Sequence, residues 1–244
     1  MPKRHGAREQ KKAAKQKSKR DARRKQLARA SSPNPMVRLK HAADWPIVGC
    51  MVPDELWETG LGQLVFARRM PDGQIAIAVF LVDVFCLGVK NVFWQIGTRN
   101  QYDAMVKRIA EHEELREVSP EYLSKLVHCA ADYAQSLGFA PHGDFRHARL
   151  LLAGIDPSRC SEEFTFGQNG VPLYIRGPGE SIEKARAIVA QVEAVGGHYV
   201  MLASSFMADP EFELLDEDEG EDEFEDDEDY GENDNGQDEN VIDV

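Results

Sequence analysis

Residues 75–84, IAIAVFLVDV, constrain the fold more than any other part of this chain. Side chains alternate across a strand with a period of two. That puts Ile75, Ile77, Val79, Leu81 and Asp83 on one face and Ala76, Ala78, Phe80, Val82 and Val84 on the other. Apart from Asp83 both sets are apolar, so the strand needs cover on both sides and belongs at the centre of a sheet. The preceding run QLVFARRM, residues 63–70, is separated from it by Pro71-Asp72-Gly73-Gln74. A Pro-Asp-Gly turn between two β-forming runs predicts an antiparallel hairpin.

The flanking sequence supplies the rest of an α+β fold. IVGCMV, residues 47–52, reads as a short strand ended by Pro53, and DELWETGLG as one turn of helix followed by two glycines. From Thr98 the period changes to 3.6. Thr98 and Gln101 form a capping box for a helix carrying Tyr102, Met105, Val106 and Ile109 on one face. Ser119 caps a second helix, with Pro120 in its first turn, Leu123, Leu126, Val127, Ala130, Ala134 and Leu137 as its stripe, and Gly138 as its stop. A short third helix is expected between Asp144 and Gly154. EFTFGQNGVPLYI reads as a hairpin turning at residues 168–170. A fourth helix follows Ser181 with Ala185, Ile188, Val189, Val192 and Val195 inward, and HYVMLA closes as a strand. Strands precede helices without βαβ alternation, which points to a mainly antiparallel sheet packed against about four helices.

Charge divides the chain into three expected parts: a disordered basic arm over residues 1–35, one α+β domain over 36–208, and a disordered acidic tail over 209–244. Residues 1–30 hold 13 Lys and Arg against Glu9 and Asp21, a net +11, while residues 209–244 hold 20 Asp and Glu and no Lys or Arg. The net charge of −13 therefore describes neither end. The arm is made of helix formers with almost no apolar face, so alone it is expected to be disordered or a fraying helix. Like charges in a block suit a polyanion, with Lys11, Lys12, Lys15, Lys19, Arg20, Arg23 and Arg24 as the contacts. The acidic tail lacks the apolar content to pack and suits basic proteins or the arm itself. No apolar run is long enough to cross a bilayer, and four dispersed cysteines, Cys50, Cys86, Cys129 and Cys160, form no CxxC pair. A cytoplasmic protein with reduced thiols and no membrane partner is expected.

Three groups could carry chemistry. Asp83 at the end of the central strand, Cys86 and Lys90 would make a tuned thiol if they met in a cleft, although a free cysteine is more commonly a small buried hydrophobe. His142, Asp144 and His147 offer proton or metal chemistry, but their spacing fits no zinc motif, and Asp144 is placed to cap the following helix. No metal and no particular cofactor is implied. His128 and Asp132 read as a surface pair on the second helix. Arg176 and the Gly-Pro-Gly turn before Ser181 resemble an anion-binding helix start without the phosphate-loop sequence.

VDVFCLGVK, YAQSLGFAPHGDFRHAR and FGQNGVPLYIRGP together resemble segments of an uncharacterised bacterial protein family, over about residues 45–180. The resemblance implies a shared fold and no activity, so it assigns no roles. Function is then expected from charge: nonspecific contact with RNA, ribosome or DNA through the arm, modulated by the acidic tail. The alternatives are a metal-dependent or Cys/His hydrolase with Asp83, Cys86 and His147 catalytic, and a protein-interaction module.

Overall fold

The computed structural model describes residues 15–21, 24 and 34–200. Residues 15–21 and 24 are helical and exposed. Lys11, Lys12, Arg23 and the acidic tail lie outside the described residues.

The expected α+β architecture is present. The first helix, α1 (Pro35–Leu39), is capped by Asn34, whose side chain accepts from the Met36 amide, so SSPNP starts a helix as well as closing the arm. Strand β1 (Ile47–Pro53) and the single turn α2 (Leu56–Thr59) follow. Then come β2 (Leu61–Arg69), β3 (Ile75–Asp83) and β4 (Gly88–Gly97). Helix α3 (Arg99–Ala110) leads to β5 (Leu115–Glu117), and α4 (Pro120–Ser136) to the single turn α5 (Phe145–Ala148). Strand β6 (Leu173–Ile175), helix α6 (Ile182–Ala194) and strand β7 (His198–Val200) complete the described chain. Three-residue and four-residue 3-10 turns lie at Ala42–Asp44, Arg149–Leu152 and Pro157–Arg159.

Strands β1 to β5 form one sheet in the order β4-β3-β2-β1-β5, with every neighbour antiparallel. The hairpin forms in uninterrupted register from Leu61 opposite Asp83 to Arg69 opposite Ile75. Both faces of β3 are covered as its sequence requires. Ala76, Ala78, Phe80 and Val82 join the cluster with Leu123, Leu126, Val127 and Ala130 of α4, whereas Ile75, Ile77 and Val79 pack with Tyr102 and Ile109 of α3. The capping box at Thr98 and the Ser119 cap are both made.

Three expectations fail, each for a local reason. Residues 163–175 do not form a hairpin: only an isolated bridge joins Gln168 to Val171, and Leu173–Ile175 pairs in parallel with His198–Val200, a partner supplied across α6. Val195 is 41% exposed because it follows the end of α6 and leaves the inward stripe of Ala185, Ile188 and Val192. Asp144 makes no side-chain cap to α5.

Two positions hold the layers together. Arg68 is 3% exposed on the α4 side of β2. Its Nε donates to the Leu151 carbonyl at 2.7 Å, Nη1 to Trp45 at 2.8 Å and Nη2 to Ala153 at 2.8 Å. Gly88 opens β4 with φ +62, and a Cβ there would overlap the Ala130 carbonyl of α4. Left-handed backbone and close approach coincide, which only glycine allows. Gly88→Ala is expected to destabilise the protein by about 3 kcal/mol, from αL strain plus overpacking, measured by urea unfolding. Arg68→Met keeps the aliphatic volume but leaves buried carbonyls without donors. It should lower stability by about 3 kcal/mol or more in the same assay.

Candidate functional site

The central question posed by β3 is what Asp83 touches. It is 7% exposed, and its Oδ1 accepts the amides of Phe85 at 2.9 Å and Cys86 at 2.8 Å. The carboxylate therefore satisfies the donors of the β3–β4 turn, which point inward and have no strand partner. Burial pushes its pKa up to about 6, against the lowering effect of those amides and of Lys90. Cys86 is completely buried among Leu137, Tyr174 and Ile188, and burial, reinforced by Asp83, pushes its thiol up to about 12. At neutral pH it is a protonated packing residue and not a nucleophile.

Lys90 sits at a bulge and pairs with a carboxylate instead of the thiol. The register steps from Leu81 opposite Asn91 to Val82 opposite Val89, leaving Lys90 as the extra residue of β4. Its Nζ pairs with Glu180 Oε1 at 3.2 Å. Glu180 Oε2 accepts from the Gly177 amide at 3.0 Å and the Tyr174 hydroxyl at 2.8 Å. Burial alone would raise the Glu180 pKa, but these donors and Lys90 outweigh it and hold it below the ordinary range. Arg176 donates to the Glu180 carbonyl at 2.6 Å. The Gly-Pro-Gly turn thus meets the chain's own Glu180 carboxylate through the Gly177 amide. Sequence reasoning misses Glu180, although it lies in the segment GPGES.

His142, Asp144 and His147 are neighbours on an exposed turn, but only Asp144 and His147 pair side chain to side chain. The Asp144 amide donates to His142 Nδ1 at 3.3 Å, and the Asp144 carboxylate lies 3.5 Å from His147 Nδ1. The His147 ring packs edge-on against Trp94 at 6.3 Å. Trp94 stands opposite Ala78, five residues along β3 from Asp83, or about 16 Å at strand rise. Asp83 and His147 are therefore not brought together. His128 uses Nδ1 to donate to the Ser124 carbonyl at 2.7 Å, one helical turn back, in place of the expected Asp132 pair. Among the described residues no three His, Cys, Asp or Glu side chains are grouped to hold a metal ion. None of the described helices is long and apolar enough to cross a membrane.

The concave feature lies elsewhere. A groove of about 710 Å³ runs between α2 and residues 162–169. Its floor is aromatic: Trp57 stacks on Phe164 at 5.6 Å, and Tyr122 meets Phe164 edge-on at 5.2 Å. Lys125 fixes the loop from beneath, its Nζ donating to the Cys160 carbonyl at 3.0 Å and to the Glu162 carbonyl at 2.5 Å. Glu58, Glu162 and Glu163 form an exposed rim, and none is in an ion pair with another described residue. The sequence signal is EEFTF, two carboxylates beside alternating aromatics, which the expectation of a hairpin absorbs.

Compared with known proteins, the chain matches no family model, no curated protein and no solved structure.

Asp83 makes a clear pH prediction. A folded pKa of about 6 against 3.8 favours the protonated form on folding, so the associated stability is full below about pH 4 and lost as pH rises through 6. Asp83→Asn keeps an oxygen for the Phe85 and Cys86 amides without a charge. Between pH 4 and 7 the wild type should lose about 2 kcal/mol relative to the Asn variant, read from urea unfolding at several pH values. Asp83→Ala should be destabilised at every pH.

Proposed function

We propose that this is an intracellular protein that contacts RNA, ribosome or DNA nonspecifically through its basic N-terminal arm, with the acidic tail modulating that contact. The supporting observation is the exposed helical segment at residues 15–21, where Lys15, Lys17, Lys19 and Arg20 face solvent with Asp21 as its one acidic residue, and Arg24 is exposed just beyond. An unburied helix of this charge gains little from packing and much from a phosphate backbone, because each neutralised phosphate releases a counterion. No base-reading motif accompanies it, so binding follows charge and not sequence. The acidic tail competes for the same side chains and weakens the lowest-affinity contacts first.

The hydrolase reading lacks a shared site, since Cys86 is buried and protonated and His147 lies along the sheet from Asp83. The interaction-module reading has an observation of its own in the aromatic groove. Its carboxylate rim repels phosphates, so it does not serve the polyanion.

The arm is tested by replacing Lys11, Lys12, Lys15, Lys19, Arg20, Arg23 and Arg24 with Gln in the full chain and titrating duplex DNA and RNA against salt. For every phosphate that is no longer neutralised, the slope of log K against log salt should become shallower by about 0.9 on duplex DNA. An unchanged slope and affinity would sink the proposal.

A further inference from the structure

We infer that the groove between α2 and residues 162–169 takes a lysine- or arginine-rich segment of a partner protein, bound in extended form. Three observations converge on that chemistry. The floor of Trp57, Tyr122 and Phe164 is only half-buried, leaving ring surface that attracts cations. The chain already uses such a contact, with Lys125 Nζ at 5.9 Å from the Phe164 ring centre. Glu58, Glu162 and Glu163 stand around this floor as exposed carboxylates in no ion pair with another described residue, so a bound cation would meet both ring faces and opposite charge. An acidic or phosphorylated segment would meet repulsion.

The backbone supplies the third observation. Exposure alternates along Glu163, Phe164, Thr165 and Phe166, with the two aromatic residues turned in and Glu163 and Thr165 out. Those four residues belong to no helix or strand. No described residue bonds to the main chain of Glu163 or Thr165. A segment outside helix and strand, whose Glu163 and Thr165 main chain has no described partner, can pair with an extended chain, so main-chain bonds would give affinity while alternate basic side chains reach the rim. Phe164 and Phe166 hold this edge in place: Phe166 stacks on Tyr133 at 5.1 Å, and the Gly167 amide donates to the Val84 carbonyl at 2.9 Å. The edge is therefore built before any peptide arrives.

This inference goes beyond the nucleic-acid reading and does not depend on the arm. The probe is a synthetic ten-residue peptide of alternating Arg and Thr, with a Glu–Thr peptide as control, added to the isotope-labelled full chain. Signals from the Trp57 indole and the Glu163 and Thr165 amides report the groove separately from the acidic tail, which can also take a basic peptide. The Arg–Thr peptide should move these signals and the Glu–Thr peptide should not. Neutralising the rim in the E58Q/E162Q/E163Q variant should weaken that response at least tenfold. Thr165→Pro, which removes one free amide and no charge, should weaken it severalfold. The slope of DNA binding against salt should be the same in both variants, so failure of the groove and failure of the arm are told apart. The inference is overturned if the Arg–Thr peptide moves only tail signals, or if the groove responds equally to the Glu–Thr peptide or to a DNA oligonucleotide. It is also overturned if replacing the arm's basic residues with Gln shifts the groove signals before any peptide is added, because the occupant is then the chain's own arm.

Discussion

The structure depends on a buried positive charge that pairs with no carboxylate among the described residues. Arg68 lies inside the α4 face of the sheet and spends its guanidinium donors on main-chain carbonyls of Trp45, Leu151 and Ala153, with Ala43 at 3.4 Å. These carbonyls belong to the 3-10 turns at Ala42–Asp44 and Arg149–Leu152 and the residues just after them. Short turns leave acceptors that cannot be met within the turn, and burying them unmet is costly. Arginine answers them because it carries five donors in a rigid fork. One side chain of the central hairpin therefore fixes two segments more than a hundred residues apart in sequence. Burial lowers the guanidinium pKa, while an arginine inside a protein keeps its proton.

Asp83 performs the complementary task at the other end of β3. Arg68 brings donors to orphaned carbonyls, and Asp83 brings an acceptor to the orphaned amides of Phe85 and Cys86. The pairing explains why a strand otherwise apolar on both faces ends in a carboxylate. Gly88 then turns the chain, and the bulge at Lys90 directs an ammonium to Glu180. The polar groups that make residues 83–90 resemble a reaction centre are each occupied by the architecture. The thiol among them is held protonated by burial, reinforced by the Asp83 charge.

How much of this is legible in the sequence follows from how local each determinant is. The hairpin, the capping box at Thr98, the Ser119–Pro120 start and the two-faced β3 are decided within a few residues, and each forms as its residues dictate. Residues 163–175 mislead because EFTF and PLYI both look like strands, while their partners are not each other. Leu173–Ile175 pairs with His198–Val200, and Phe164 and Phe166 pack on Trp57 and Tyr133 from distant elements. Arg68 is hidden in FARRM, where two adjacent arginines look alike. Register decides between them: opposite Ala76, Arg68 shares the inner face with Phe66 and Leu64, a fact that exists only once the sheet is paired. Asp83 stands out in an apolar run as needing a partner, but sequence does not say that the partner is main chain.

The same distinction separates structure from candidate function. A polar side chain whose partners are all inside the fold is accounted for, as are Arg68, Asp83, Lys90, Glu180 and Arg176. Two groups of exposed charges have no ion-pair partner among the described residues. On the described helix of the arm these are cations without an apolar face to bury. Around the groove they are carboxylates above aromatic rings beside an unpaired main chain. Opposite charges select opposite partners, so the arm suits phosphates and the groove suits basic peptide. A protein with both need not choose between nucleic-acid and protein contacts, because the two surfaces are electrostatically unable to substitute for one another.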